Sequence, residues 1–146
     1  MNRAYFKWLL IGLILTIWFF PMTIGAVPPL RPEVKHLGEI KEFSINIPGI
    51  RGASLFSTLT ADMILIYGEP GTKLHKHQFS DHFVYILRGS GEVHLENKKQ
   101  AVTQGDLVLI PRAVPHSILK TGDDEFVFLA ISSPPLDLHD FIWLEK

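Results

Sequence analysis

The chain has 146 residues, 47% of them hydrophobic, with 14 Lys and Arg against 15 Asp and Glu and no cysteine. That length buries one core rather than two, and its scattered cations leave no electrostatic footprint for nucleic acid. Without thiols there are no disulfides and no thiolate metal sites, so histidine and carboxylate are the available ligands.

In chain order, Arg3 and Lys7 precede an apolar run from Trp8 to Phe20, closed by Pro21 and the small residues Thr23-Ile24-Gly25-Ala26. A basic start, a short apolar stretch and a small-residue exit describe a secretory signal peptide over residues 1–26, cleaved after Gly25 or Ala26. As a helix the apolar run reaches roughly 20 Å, short of the roughly 30 Å hydrocarbon core. The alternative is an uncleaved anchor at residues 8–20, the one case in which a membrane becomes a partner. The expected location is export, periplasmic or extracellular. Removing the segment takes away Arg3 and Lys7 and no acid, which leaves the remainder mildly acidic.

Residues 27–33, opening Val-Pro-Pro-Leu-Arg-Pro, read as an extended linker. From there residues 34–146 show short β runs divided by turn residues and no long 3.6-residue periodicity. The expected strands are Glu42–Ile47, Ala53–Leu59, Asp62–Tyr67, His82–Arg88, Gly91–Leu95, Gln100–Thr103, Asp106–Pro111, His116–Lys120, Glu125–Ser132 and Phe141–Leu144. Pro48-Gly49, Glu69-Pro70-Gly71, Gly89-Ser90-Gly91 and Gly105-Asp106 separate them. The chain is all-β, a sandwich or barrel.

Three histidines, His75, His77 and His82, fall within eight residues and run into the apolar strand Phe83-Val84-Tyr85-Ile86-Leu87; His116 follows at the edge of another β run. Alternate strand residues share a face, so His75 and His77 converge. Four imidazoles on a β scaffold suggest a transition-metal site. Isolated histidines are more often surface or hydrogen-bonded residues, the assignment for His36, His94 and His139.

These two segments resemble the two signature motifs of the cupin superfamily. In the first, His75-Lys76-His77 stands as its His-x-His and Gly89 as its closing glycine, which puts His82 where the family has glutamate; Gly71 is closer than the motif's opening glycine by two. In the second, Gly105 to Pro111 fits the first half and His116 the histidine, with Ala113 where glycine is usual. The resemblance covers about Phe56 to Ile131 and implies a jelly-roll (double-stranded β-helix) barrel. It also implies a divalent metal held by His75, His77, His82 and His116, and a homodimer. Asp81 is the alternative fourth ligand, disfavoured because strand alternation turns it away from His82.

Four neutral imidazoles add no charge, so the metal keeps its full positive charge and favours an anionic ligand. Fe, Mn, Cu, Ni and Zn all suit imidazole. Val84 and Ile86 share the face of His82 and Ile118 that of His116, an expected apolar wall for substrate. Lys73, Arg88 and Arg112 are surface charges able to rim the mouth. Phe83 and Tyr85, with Phe126, Phe128 and Trp143, form an aromatic set packing sheet on sheet or across a dimer. Gln78, Tyr67 and Glu69 lie near the motif, but none carries the marks of a catalytic acid or base. The expected function is a mononuclear metal-dependent oxygenase or oxidase of a small enol-, catechol- or flavonol-like substrate. The alternatives are a non-catalytic small-molecule (sugar-like) binding cupin, or a Lewis-acid isomerase or decarboxylase.

Overall fold

The computed structural model describes residues 30–144, so the signal segment read at residues 1–26 lies outside the described residues. The chain forms β1 (Ile45–Ile47), β2 (Ile50–Ser57), β3 (Asp62–Gly68), β4 (His75–His77), β5 (Asp81–Arg88) and β6 (Ser90–Leu95). These are followed by β7 (Lys98–Thr103), β8 (Leu107–Ile110), β9 (His116–Lys120), β10 (Phe126–Ser133) and β11 (Phe141–Trp143). Single 3-10 turns at Leu37–Glu39 and Leu138–Asp140 are the helical pieces among the described residues.

The strands make two antiparallel sheets, ordered β1-β2-β3-β10-β5-β8 and β11-β4-β9-β6-β7. Chain neighbours such as β4 and β5 lie in different sheets, the crossing pattern of a jelly roll. Strand alternation sorts side chains between an inner face, shared by the two sheets, and an outer face. On β5 the sorting is clean: His82, Val84 and Ile86 are buried, whereas Phe83 and Tyr85 are exposed.

The inner core joins Ile64 and Ile66 of β3, Val84 and Ile86 of β5, Val93 of β6, Ile118 of β9 and Phe126, Phe128 and Ala130 of β10. A second apolar layer lies on the outer face of β2, β3 and β10, where Leu55, Leu65 and Val127 pack against Leu37 and Ile40. The aromatic set read from the sequence is therefore divided. Phe126 and Phe128 are buried inside, Phe83 and Tyr85 stand outside, and Trp143 sits on β11 beside the histidines. The cause is β10: Phe126-Val127-Phe128 is buried on both faces, so composition does not reveal which residues point inward.

His75–His77 forms a strand of its own, one more than the expected strands, and its alternation puts both histidines on one face. Gly71 sets its register. Its φ of +119° and its bridge to Leu119 bring the backbone so close to β9 that a Cβ would overlap the Ile118 carbonyl. Thr72 then donates its backbone N–H to Ile118 O at 2.9 Å, and its hydroxyl accepts from the Ile118 N–H at 3.2 Å. From that anchor His75 falls directly opposite His116.

Candidate metal centre

Two sheets contribute to the centre. His75 and His77 leave β4 on one face, His116 joins them from β9, and His82 faces them from β5 in the other sheet. One ring nitrogen from each of His75, His77 and His116 lies within 4.8 Å of the other two, and all three residues are buried. Ring centroids are 4.9 Å apart for His75 and His77, 4.3 Å for His75 and His116, and 5.4 Å for His77 and His116. His82 stacks on His77 at 4.3 Å and 14°, and lies 6.1 Å from His116.

Hydrogen bonds fix two of the rings. His75 Nδ1 pairs with Lys73 O at 2.8 Å and His116 Nδ1 with Val114 O at 2.9 Å. A carbonyl accepts only, so both Nδ1 atoms carry the proton and both Nε2 atoms keep a lone pair. His82 Nε2 is buried with no protein partner, and His77 Nδ1, buried and without a well-formed hydrogen bond, has the Asp140 backbone beside its ring. Buried polar atoms without partners are uncommon and costly. Three clustered imidazoles of one donor type are what a site built for a cation offers, so His75, His77 and His116 fit a divalent metal, with His82 stacked alongside and outside that group of three.

Burial keeps these rings neutral. It lowers His75 to about 3, helped by the charge of His116, and His77 to about 2, helped by His82. His82 falls to about 4 from burial and then His116; burial likewise pushes His116 down. A neutral imidazole is the form that binds metal, so no proton need leave at neutral pH.

A cavity of about 50 Å³ opens onto the four histidines. Thr72 and Ser132 are its other polar residues, and Val84, Ile110, Ile118, Phe128 and Leu136 supply much of the apolar wall. Among the described residues none lining it is Asp, Glu, Lys or Arg.

Residues 61–132 match the Cupin domain family. Over 114 residues the chain is 30% identical to an uncharacterised protein of Aquifex aeolicus, covering 77% of this chain and 93% of that protein. The chain belongs to the cupin family. This cupin is also 36% identical over 64 residues to the oxalate-binding protein of Thermotoga maritima, covering 42% of this chain and 53% of the relative. It spans between 42% and 59% of the length of three curated relatives that it matches. Among solved structures the polyketide cyclase RemF from Streptomyces resistomycificus superposes with a TM-score of 0.67 at 19% identity, covering 80% of this cupin and 87% of the cyclase; the likeness is one of fold.

The cupin brings His75, His77, His82 and His116 to one cavity and separates other residues from it. Val84 and Ile118 line the cavity; Ile86, on the same face of β5, is 0% exposed and lies in the core beyond the wall. Asp81 points away and is engaged by Arg112, which donates Nε–H at 3.1 Å, Nη2–H at 2.6 Å and its backbone N–H at 2.8 Å. That pairing holds the Asp81 carboxyl down at about 2 and removes both residues from the roles of ligand and free anion lure. Arg88 pairs with Glu125 at the surface.

Two residues escaped the sequence reading. Phe141 of β11 stacks on His75 at 4.7 Å and meets His77 edge-on at 4.3 Å, walling the two rings. Asp140 is buried, and its carboxylate accepts the backbone N–H groups of Gln78 at 2.8 Å and Phe79 at 3.0 Å, fixing the chain just beyond His77. Both come from the far C-terminal segment, and no local spacing links them to His75–His77.

Proposed function

We propose that this cupin is a mononuclear metal-dependent oxygenase or oxidase of a small oxygen-chelating substrate, with His75, His77, His116 and His82 holding the metal. The observation that carries this is the donor set: buried neutral imidazoles around one cavity, two of them with nitrogens that lack a well-formed hydrogen bond. His82 serves as fourth donor because its Nε2 is orphaned against His77, while Asp81 is spent on Arg112. A divalent metal held there supplies Lewis acidity and, if Fe, Mn or Cu, redox chemistry. With no carboxylate lining the cavity, the chain leaves the ion's charge to an anionic ligand. A volume near 50 Å³ is far below the roughly 300–1,000 Å³ of pockets for drug-sized ligands. That favours a compact enolate or catecholate over a flavonol. Phe141 and the isoleucine wall exclude bulk water from the bound ligand.

The test is elemental analysis of the protein purified without added metal, followed by oxygen uptake with small enols and catechols. About one Fe, Mn or Cu per chain with substrate-dependent uptake is expected, and His82→Ala should lower metal content. A second reading is a binding protein without turnover, favoured by the 36% identity to an oxalate-binding protein. Stoichiometric Zn or Ni with ligand binding and no oxygen uptake would select it.

The same reading places the protein outside the cytoplasm, on the strength of Arg3 and Lys7 before the apolar run. It pairs two copies through the outer face of β5 and β8. There Phe83 lies beside Leu109 and Tyr85 beside Leu107, with Phe83 49% and Leu107 79% exposed. Leu37 and Ile40 cover the corresponding face of β2, β3 and β10 and stop short of this patch. An exposed apolar patch on an edge strand is the ordinary mark of an interface.

A further inference from the structure

Three polar side chains stand abreast on the inner face of the larger sheet. Ser132 of β10 lies directly opposite Asp62 of β3 on one side and His82 of β5 on the other. The next row inward, Ile64, Ala130 and Val84, is apolar. Each of the three polar residues carries a buried atom with no partner: Asp62 Oδ1, Ser132 Oγ and His82 Nε2. Ser132 is 1% exposed and lines the cavity, and Asp62 is held from behind because its Oδ2 accepts the Leu136 N–H at 3.0 Å.

We propose that Ser132, backed by Asp62, is a hydroxyl-binding subsite beside the metal-ligand histidines. This rests on the metal-binding function proposed above and narrows its ligand. Directly opposed strand residues hold their Cβ atoms about 4.5–5.5 Å apart, so rotation of the Ser132 side chain carries its hydroxyl to the Asp62 carboxylate. A carboxylate only accepts hydrogen bonds, and leaving its buried Oδ1 without a donor costs more than leaving a hydroxyl oxygen without one. The single Ser132 proton therefore goes to Asp62 Oδ1, and the serine turns its lone pairs to the cavity. A group that only accepts admits a ligand O–H and repels a ligand carboxylate. The ligand class that follows is a chelator with a hydroxyl next to its anionic oxygen, an α-hydroxy acid or an enediol, in preference to a dicarboxylate.

The test uses Zn²⁺-loaded full-length protein and two probes differing in that one group, glycolate and oxalate, titrated calorimetrically against wild type, Ser132→Ala and Asp62→Asn. Removing an orphaned hydroxyl is nearly neutral for folding, and thermal midpoints check that the variants fold. Ser132→Ala should weaken glycolate about 10-fold and leave oxalate within about 2-fold. Asp62→Asn removes the competing charge, so the glycolate-to-oxalate affinity ratio should fall by about 10-fold. Zn²⁺ stoichiometry should stay at one per chain in all three proteins. An unchanged ratio in both variants with Zn²⁺ still bound overturns the subsite and leaves the metal centre standing. Wild type that takes up no Zn²⁺ overturns the centre and the subsite together.

Discussion

The two ends of the interior are built by the same strands on the same inner face, and they obey different physics. At the closed end Phe126 lies against Gly68 and Gly91, with its ring centroid 5.4 Å from that of Phe128, which reaches on to the cavity wall. A Cβ on Gly91 would meet the Phe126 ring at 2.5 Å, so nothing larger than glycine fits there. Two pleats away the rows turn polar, with Asp62, Ser132 and His82 on one sheet and His75 and His116 on the other. The closed end is tightly packed and has every reason to be stable. The histidine end leaves orphaned nitrogens and an open cavity, and costs stability in the absence of a cation. Stability and binding are thus separated along a single strand such as β10, from Phe126 to Ser132.

Acid should break the histidine end first. The histidines are held below their ordinary range by burial, so the unfolded chain takes up protons that the folded chain refuses. Stability is then fully present above about pH 6.5 and is lost as pH falls toward the folded values of about 2 to 4. Each such histidine contributes a slope of about 1.4 kcal/mol per pH unit in that window. Several acting together rival the roughly 5–15 kcal/mol of a small domain. Metal-free protein should therefore unfold cooperatively between about pH 6 and pH 4 by circular dichroism. Flat stability across that window would mean that the rings already carry protons or face water.

The next effect belongs to the closed end. Phe126→Ala should cost about 3–5 kcal/mol in urea denaturation through the lost transfer energy and the cavity left behind. Metal bound per folded chain should not change. His116→Ala is the mirror image: metal content should fall sharply, while metal-free stability falls by only about 1–3 kcal/mol, the cost of losing the Nδ1–H bond to the Val114 carbonyl and the packing of one buried ring. A Phe126 variant that loses metal while folded, or a His116 variant that unfolds, would show that the two ends are one cooperative unit.

This division was partly legible in the sequence. His75, His77, His82 and His116 announce themselves because strand spacing is a local property, and β5 alternates cleanly enough to put His82 and Val84 on one face. β10 does not alternate, since it is covered outside by the Leu37–Ile40 segment and inside by the core, so Phe126 and Phe128 could not be told from the outer aromatics. Ile86 shared the right face and still missed the cavity, because periodicity gives the face of a strand and not the depth along it. Asp140 and Phe141 reach the site across more than sixty residues of chain, and Ser132 reads as an ordinary strand end. Its partners Asp62 and His82 emerge only from the register of three strands.

The smallest expected effect sits in the turn between β8 and β9, at the histidine end. Ala113 stands where the resemblance expects glycine, and its φ is +63°, in the left-handed region that side chains avoid. Its N–H donates to the His77 carbonyl at 2.6 Å, so this turn helps hold β4 and the Val114 carbonyl that orients His116. Ala113→Gly relieves roughly 1–2 kcal/mol of backbone strain and adds back roughly 0.4–1 kcal/mol of unfolded-chain entropy. The net expectation is a gain of between about zero and about 1.6 kcal/mol, read as a small rise in Tm. The sign matters more than the size. A fall would mean that the Ala113 methyl packs usefully against the mouth. A rise with unchanged metal affinity would mean that the turn's strain is borne by the closed end's surplus stability and contributes nothing to holding the histidines.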